Sequence, residues 1–218
     1  MHKIIDNLEG IKNKLKQLKL ENYQNLKIIA VSKTFSLNSI LPLIEYGHDH
    51  FGENKVQEAL EKWPKIKESY PNLKLHMVGK IQSNKVKFLL PVFDYLHSLD
   101  NIKIAEKISS EEKKNNKKLK IFIQINIGNE PQKSGINIKD LDEFYLTCVN
   151  ELNLNIVGLM CLPPSSSDPK KYFISLNEIS QKLNLKELSM GMSNDYLDAA
   201  QCGATYLRIG SKIFGERD

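Results

Sequence analysis

The chain of 218 residues carries a net charge of +5, with 41% hydrophobic and 26% charged residues, the balance of an ordinary soluble globular domain. Its basic residues are scattered over helical faces without interleaved aromatics, which argues against a nucleic-acid binder, and no apolar run approaches the roughly 20 residues that a membrane span requires. Three cysteines, Cys148, Cys161 and Cys202, stand far apart and in no CxxC pair; they fit a reducing cytosol and argue against a disulfide framework or a structural zinc site.

The N-terminal stretch has charges every few residues and apolar positions Ile4, Leu8, Ile11, Leu15 and Leu18, a period that predicts a helix over 3–20 and not a signal peptide. A strand follows at 27–32, then a short helix at 38–46 that Ser36 or Asn38 can cap and Gly47 ends. "HDHF" at 48–51 reads as a second strand, and Val56, Ala59, Leu60 and Trp63 mark the next helix. Further strands are expected at 73–79, 93–99, 119–127, 154–162, 185–191 and 204–210, and further helices at 83–90, 101–115, 138–150, 169–183 and 194–202. The lysine-rich run at 111–120 reads as a solvated helix end and loop. His48 and His50 would share one face of a strand and offer two metal ligands, but no third ligand cluster accompanies them, and a loop is the better account.

Alternating strands and helices demand a parallel sheet with right-handed crossovers. Eight such units in about 200 residues fit one closed (β/α)8 TIM barrel spanning 1–218, with an extra helix in front. A doubly wound open sheet is the alternative, but its first βα turn would carry glycines and "AVSKTFS" has none. A barrel with its own first helix is expected to stand as a monomer.

In a barrel the chemistry sits at the C-terminal strand ends. There strand one delivers Ser32, Lys33 and Thr34, strand two Phe51 to Asn54, strand three Gly79 to Asn84, and strand five residues 126–135. Strand six delivers Met160 to Pro164, strand seven Gly191 to Asp195, and strand eight Arg208, Gly210 and Ser211. "SMGMSND" and "RIGSKIFG" bring glycine and hydroxyl residues to the ends of strands seven and eight, where barrels commonly hold a phosphate. Ser193 can cap the helix that follows, and glycine lets a ligand approach the backbone. Either stretch alone is an ordinary turn; the two together point to a phosphate site. Lys33, at the mouth of a buried strand and opposite that cradle, points to a Schiff base with an aldehyde, the competing reading being a lysine that snorkels from the rim. All but two of the 31 basic residues are lysine, so each arginine is a candidate for a site that needs a planar guanidinium. Arg208 can point inward and donate to a ring nitrogen or a carboxylate, or form a rim ion pair with Glu53 or Asp195. Arg217, in "GERD", reads as a surface residue.

The motifs "AVSKT", "FGEN" with "VQE", "HMVGKIQSNK", "INI" with "QKSG", "GLMCLP", "LSMGMSND" and "RIGSKIFGERD" run in order from about residue 27 to the C-terminus. In that combination the chain resembles the pyridoxal phosphate homeostasis proteins, the YggS/PROSC family. The resemblance implies a barrel like the N-terminal domain of alanine racemase, with pyridoxal 5'-phosphate bound as an aldimine on Lys33. It further implies that Met192, Ser193, Gly210 and Ser211 hold the phosphate, that Arg208 faces the pyridine nitrogen and that Asn54 lies near the ring. One departure is Lys80, where such sequences often carry proline or histidine; it would put a second cation at the mouth.

An arginine at the pyridine nitrogen leaves that nitrogen unprotonated and the ring a poor electron sink. With eight residues after Gly210 in the sequence, the β domain that supplies the second acid/base of racemases is not expected. The resemblance therefore implies a cytoplasmic pyridoxal phosphate carrier or regulator in vitamin B6 homeostasis. It would lack catalytic turnover, with pyridoxal-phosphate-dependent apoenzymes as candidate recipients. A small pyridoxal-phosphate-dependent racemase or decarboxylase using the same site is the alternative; a cofactor-free lysine aldolase and a protein-interaction module are others.

Overall fold

Each apolar run becomes a strand buried on both faces, because its inner side chains fill a barrel and its outer ones lie under helices. The computed structural model describes residues 2–165 and 167–215. Its strands are β1 (Lys27–Val31), β2 (His50–Glu53), β3 (Lys74–Met77), β4 (Tyr95–Leu99), β5 (Lys120–Ile125), β6 (Ile156–Cys161), β7 (Glu187–Ser189) and β8 (Tyr206–Ile209). All pairings are parallel, and the sheet closes in sequence order with β8 returning to β1. The expected (β/α)8 barrel is therefore the fold. Among the described residues no helix is long and apolar enough to cross a membrane.

The helices are α1 (Lys3–Gln17), α2 (Leu37–Glu45), α3 (Val56–Lys62), α4 (Pro64–Ser69), α5 (Ile102–Asn115), α6 (Leu141–Leu146), α7 (Lys170–Lys182), α8 (Tyr196–Gln201) and α9 (Ser211–Phe214). The extra first helix buries Ile4, Leu8, Ile11 and Leu15 and packs against α2, α8 and α9. Ser36 caps α2 by accepting from the Ser39 N–H. Where sequence and structure differ, a local cause is visible. The second strand is shifted from 48–51 to His50–Glu53, because Gly47 turns at φ +92° and His48 and Asp49 complete that turn. α3 is the helix expected from Val56 to Trp63, and Pro64 directly after it starts a further short helix, α4, that was not expected. Residues Ser83–Phe88 wind as a 3-10 helix, and the segment after α6 relaxes into a π turn over Thr147–Glu151.

Two cores result. The larger lies between barrel and helices, with Phe51, Trp63, Phe93 and Phe173 fully buried. The smaller fills the barrel and consists of Ile29, Val31, Tyr95, Phe122, Met160 and Tyr206. Three histidines join that inner core. His50 is nearly buried, and His76 and His97 are fully so. His50 is thus a strand residue of the barrel interior and not part of a loop, while His48 stays in the turn and bonds the His50 carbonyl at 2.9 Å. Burial pushes His48 down to about 4 from its ordinary 6.5. Burial likewise lowers His50, and it holds His76 and His97 well below the imidazole range.

These depressed values set the acid response. The unfolded chain takes up protons on these rings below 6.5, whereas in the folded barrel their uptake is suppressed, so their share of the stability is level above that value and falls as pH drops through it. In His48→Gln, which keeps a donor for the His50 carbonyl, the fall between 6.5 and about 4 should be shallower, by up to about 1 kcal/mol per pH unit. Urea unfolding midpoints across that range measure it.

Candidate functional site

The turn that carries Lys33 is tied down on both sides. Before it, Ser32 is fully buried; its N–H donates to the Gly52 carbonyl at 2.9 Å and its hydroxyl to Glu53 Oε1 at 2.8 Å. Beyond it, Thr34 adopts φ +70°, a left-handed conformation uncommon for a β-branched residue, and its N–H donates to Glu58 Oε1 at 2.7 Å. Lys62 joins the two anchors. Its Nζ donates to Glu53 Oε1 at 2.9 Å, to Glu58 Oε1 at 3.0 Å and to the Ser32 carbonyl at 3.2 Å. Trp63 Nε1 also donates to Glu53 Oε1, at 3.0 Å, as the third donor on that oxygen. Burial pushes the Glu53 carboxyl above the usual carboxylate range, and Lys62 opposes that push. Lys33 itself is half-buried and lines the cavity at the C-terminal mouth.

β8 and the segment after β7 form the facing wall. The Arg208 N–H donates to the Gly191 carbonyl at 2.9 Å, which draws the 191–195 segment against β8. Gly191 sits at φ +86°, and a Cβ there would come within 2.5 Å of the Ala199 Cβ, so the close turn depends on glycine. Ser193 does not cap the next helix. α8 begins only at Tyr196 with Asp195 at its N-cap, the Asp195 carboxylate accepts from the Met192 N–H at 2.6 Å, and Ser193 Oγ instead accepts from the Lys212 N–H at 3.4 Å. Ser193 therefore faces the turn after β8, where Gly210 precedes Ser211.

Arg208 lies inside the barrel mouth with 5% of its surface exposed. Its guanidinium bonds neither Glu53 nor Asp195. Nη1 donates to Ser189 Oγ at 2.7 Å and Nη2 to the Cys161 carbonyl at 2.9 Å. Burial lowers its pKa from the ordinary arginine value. The Cys161 and Cys148 thiols are pushed up to about 12, also by burial, and Cys202 moves in the same direction.

One cavity of about 1010 Å³ joins these walls. Lys33, Asn54, Gly79, Met192, Ser193, Arg208, Gly210 and Ser211 all line it, with Leu162, Pro163 and Pro164 from the end of β6. Asn54 Oδ1 is buried and has no hydrogen-bond partner among the described residues, so the wall offers an acceptor there. Of the other strand-end residues, Asn194 and Asp195 also line the cavity and the rest do not. Ser32, Glu53 and Thr34 serve the lysine turn, and residues 126–135 pack as a separate loop stitched by Asn126 to both the N–H and the carbonyl of Glu130. Lys80 turns aside to Ser134 Oγ at 3.1 Å, with Asp100 at 4.0 Å. Arg217 lies outside the described residues. Sequence reasoning missed Glu58, Lys62 and Trp63, whose spacing from Glu53 means nothing until α3 folds back on β2.

The alanine racemase N-terminal domain family matches residues 6–218. A pyridoxal phosphate homeostasis protein from Vibrio alginolyticus is 36% identical over 208 residues, covering 89% of this chain and 88% of its own length. The chain belongs to the pyridoxal phosphate homeostasis protein family. A solved structure of one relative, PipY of Synechococcus elongatus with pyridoxal phosphate bound, is 31% identical with a TM-score of 0.82, covering 94% of this chain and all of its own. Alanine racemase of Clostridium difficile shares the fold alone, at 16% identity and a TM-score of 0.74; its match covers 99% of this chain but only 57% of the racemase.

The Glu53 anchor is testable by itself. Glu53→Gln leaves Lys62, whose side chain is 9% exposed, with Glu58 as its remaining carboxylate. We expect a loss of about 3 kcal/mol in urea unfolding, in the range for a broken buried ion pair. An undiminished midpoint would show that the lysine turn does not depend on Glu53.

Proposed function

We propose that this chain holds pyridoxal 5'-phosphate in the barrel-mouth cavity, with Lys33 as the covalent attachment point, and serves vitamin B6 homeostasis as a carrier or regulator without turnover. The observation that carries this reading is the convergence on one cavity of Lys33, the buried Arg208 and the paired Ser193 and Gly210–Ser211 turns. The donor set fits the group. An amine, a guanidinium and a set of hydroxyl and backbone groups line one cavity, and Asn54 Oδ1 is a buried acceptor on its wall with no hydrogen-bond partner among the described residues.

Bound pyridoxal phosphate supplies an aldehyde carbon for an amine and a pyridine ring conjugated to it. The chain's own residues do the rest. Ser32 and Thr34 fix the backbone on either side of Lys33, which sets where its Nζ can reach. Ser193, Gly210 and Ser211, with Met192, are assigned to the phosphate, and Asn54 to the ring's edge. Arg208 is assigned to the pyridine nitrogen. A guanidinium donates hydrogen bonds and gives up no proton at ordinary pH, so it suits an unprotonated nitrogen and weak carbanion stabilisation. Among the described residues of the wall no tyrosine or histidine stands as a second proton carrier. That supports holding and releasing the cofactor, with pyridoxal-phosphate-dependent apoenzymes as recipients, over racemisation.

Borohydride reduction of the loaded protein followed by peptide mapping should place the pyridoxyl label on Lys33. A label elsewhere, or none, overturns the reading. Ser193→Ala should weaken retention by about 1 kcal/mol, the worth of one hydrogen bond, measured by equilibrium dialysis. Arg208→Lys should retain the cofactor with an altered absorption maximum, since a point charge replaces a planar fork. Exchange of amino-acid α-protons at enzymatic rates in deuterated water would instead favour a small racemase.

A further inference from the structure

Five buried side chains from five strands make one hydrogen-bonded string through the barrel. From the cavity inward, Arg208 Nη1 donates to Ser189 Oγ at 2.7 Å, and Ser189 Oγ lies 2.7 Å from His97 Nδ1. His97 Nε2 lies 2.9 Å from His76 Nδ1, and His76 Nε2 lies 2.8 Å from His50 Nδ1. Ser189, His76 and His97 have no exposed surface, and His50 alone among the histidines of the string keeps a small exposed edge, at 8%. The rings are clamped in place: Tyr95 stacks on His76 with centroids 4.2 Å apart, and Phe122 on His97 at 4.3 Å.

Such a string has two possible polarities, and its ends select one. A guanidinium only donates, so Ser189 Oγ must accept from Arg208; the serine hydrogen is then available for His97 Nδ1. If His97 Nδ1 carried a hydrogen instead, Ser189 would accept twice and its own hydrogen would be left without a place in the string. With Nδ1 accepting, a neutral His97 carries its hydrogen on Nε2 and donates to His76 Nδ1. His76 donates in turn from Nε2 to His50 Nδ1. At the far end His50 Nε2 points towards Asp49 Oδ1, 4.0 Å away, where a hydrogen is favoured and a lone pair is not. Burial, reinforced at His97 by the neighbouring Arg208, keeps the two inner rings uncharged.

We propose that Ser189, His97, His76 and His50 are positioning residues for Arg208, ordered as a single string in which every histidine carries its hydrogen on Nε2. A hydroxyl that donates onward is a stronger acceptor for the guanidinium than one free to rotate, so the string fixes the plane in which Arg208 meets the cavity. This rests on the reading that Arg208 faces the ring of bound pyridoxal phosphate, whereas the order of the string itself can be read without any cofactor.

Long-range ¹H–¹⁵N correlation spectra of the cofactor-free protein at neutral pH distinguish the tautomers. The expected result is Nε2–H at His50, His76 and His97, with the His97 Nδ1 resonance displaced in Arg208→Met. A hydrogen on His97 Nδ1, a charged His97, or a His97 signal indifferent to Arg208→Met would overturn the proposal. In the loaded protein, His97→Phe keeps the stack on Phe122 but removes the string, whereas His97→Asn restores an acceptor in place of Nδ1. We expect His97→Phe to weaken retention about tenfold with a displaced absorption maximum, and His97→Asn to recover most of both. Equal losses in the two variants with an unchanged spectrum would mean packing alone and would also overturn it. If the tautomers are as assigned but the wild-type protein takes up no pyridoxal phosphate, the cofactor reading fails while the string and its coupling to Arg208 stand.

Discussion

A guanidinium inside a barrel is the constraint around which the rest of this molecule is arranged. Removing such a group from water costs several kcal/mol unless its donors find acceptors, and in the bare interior of a TIM barrel the strands offer few. Here β6 supplies a carbonyl and β7 a hydroxyl. The hydroxyl is in turn engaged by a histidine of β4, which leans on histidines of β3 and β2. The barrel interior is therefore divided. One part is apolar and aromatic, built on Ile29, Phe122, Met160 and Tyr206, and a polar seam crosses it towards the mouth. That division lets a cavity with a cation on its wall sit directly above a dry core.

The two walls of the cavity are built by different means. The Lys33 side is held by side chains: a carboxylate, an ammonium, an indole and a hydroxyl meet at Glu53 Oε1, and a second glutamate secures the strained Thr34. The opposite side is held by backbone, with glycines where strand and turn crowd together and a ladder bond between Gly191 and Arg208. Gly79 plays a similar part between them, since a Cβ there would collide with the Asn54 carbonyl at 2.2 Å. A lysine that reaches for an aldehyde needs a fixed base and a mobile tip, whereas a phosphate cradle needs exposed backbone. Each wall has the construction that suits the task proposed for it.

Much of this was legible in the sequence, and the parts that were not share a cause. The strands stood out because parallel strands buried on both faces read as unbroken apolar runs, as in "IFIQI" and "IVGLMC". Lys33 and Arg208 stood out by position and by the rarity of arginine, and both do face the cavity. The histidine string was hidden because its members are spread over three strands and acquire meaning only through inter-strand register, which places His76 opposite Gly52 on one side and Tyr95 on the other. A histidine at an inward position on each of three successive strands was the available signal. The pair of His48 and His50 drew attention away from it, although those two never share a face. The Ser193 cap failed for a related reason: the helix start was placed too early, and the serine serves the neighbouring turn.

The three thiols have a consequence of their own. A thiolate adds readily to aldehydes, and next to a nitrogen nucleophile it traps them in stable rings. Cys148 and Cys161 are held at about 12, and Cys202 is shifted the same way, so at cellular pH all three remain protonated sulfur. Cys161 is the telling case, because its backbone carbonyl takes a bond from Arg208 while its sulfur is buried in the layer beneath the helices. A vessel for a reactive carbonyl compound keeps its cargo intact only if its own walls do not react with it, and among the described residues that line this cavity there is no thiol and one lysine, Lys33.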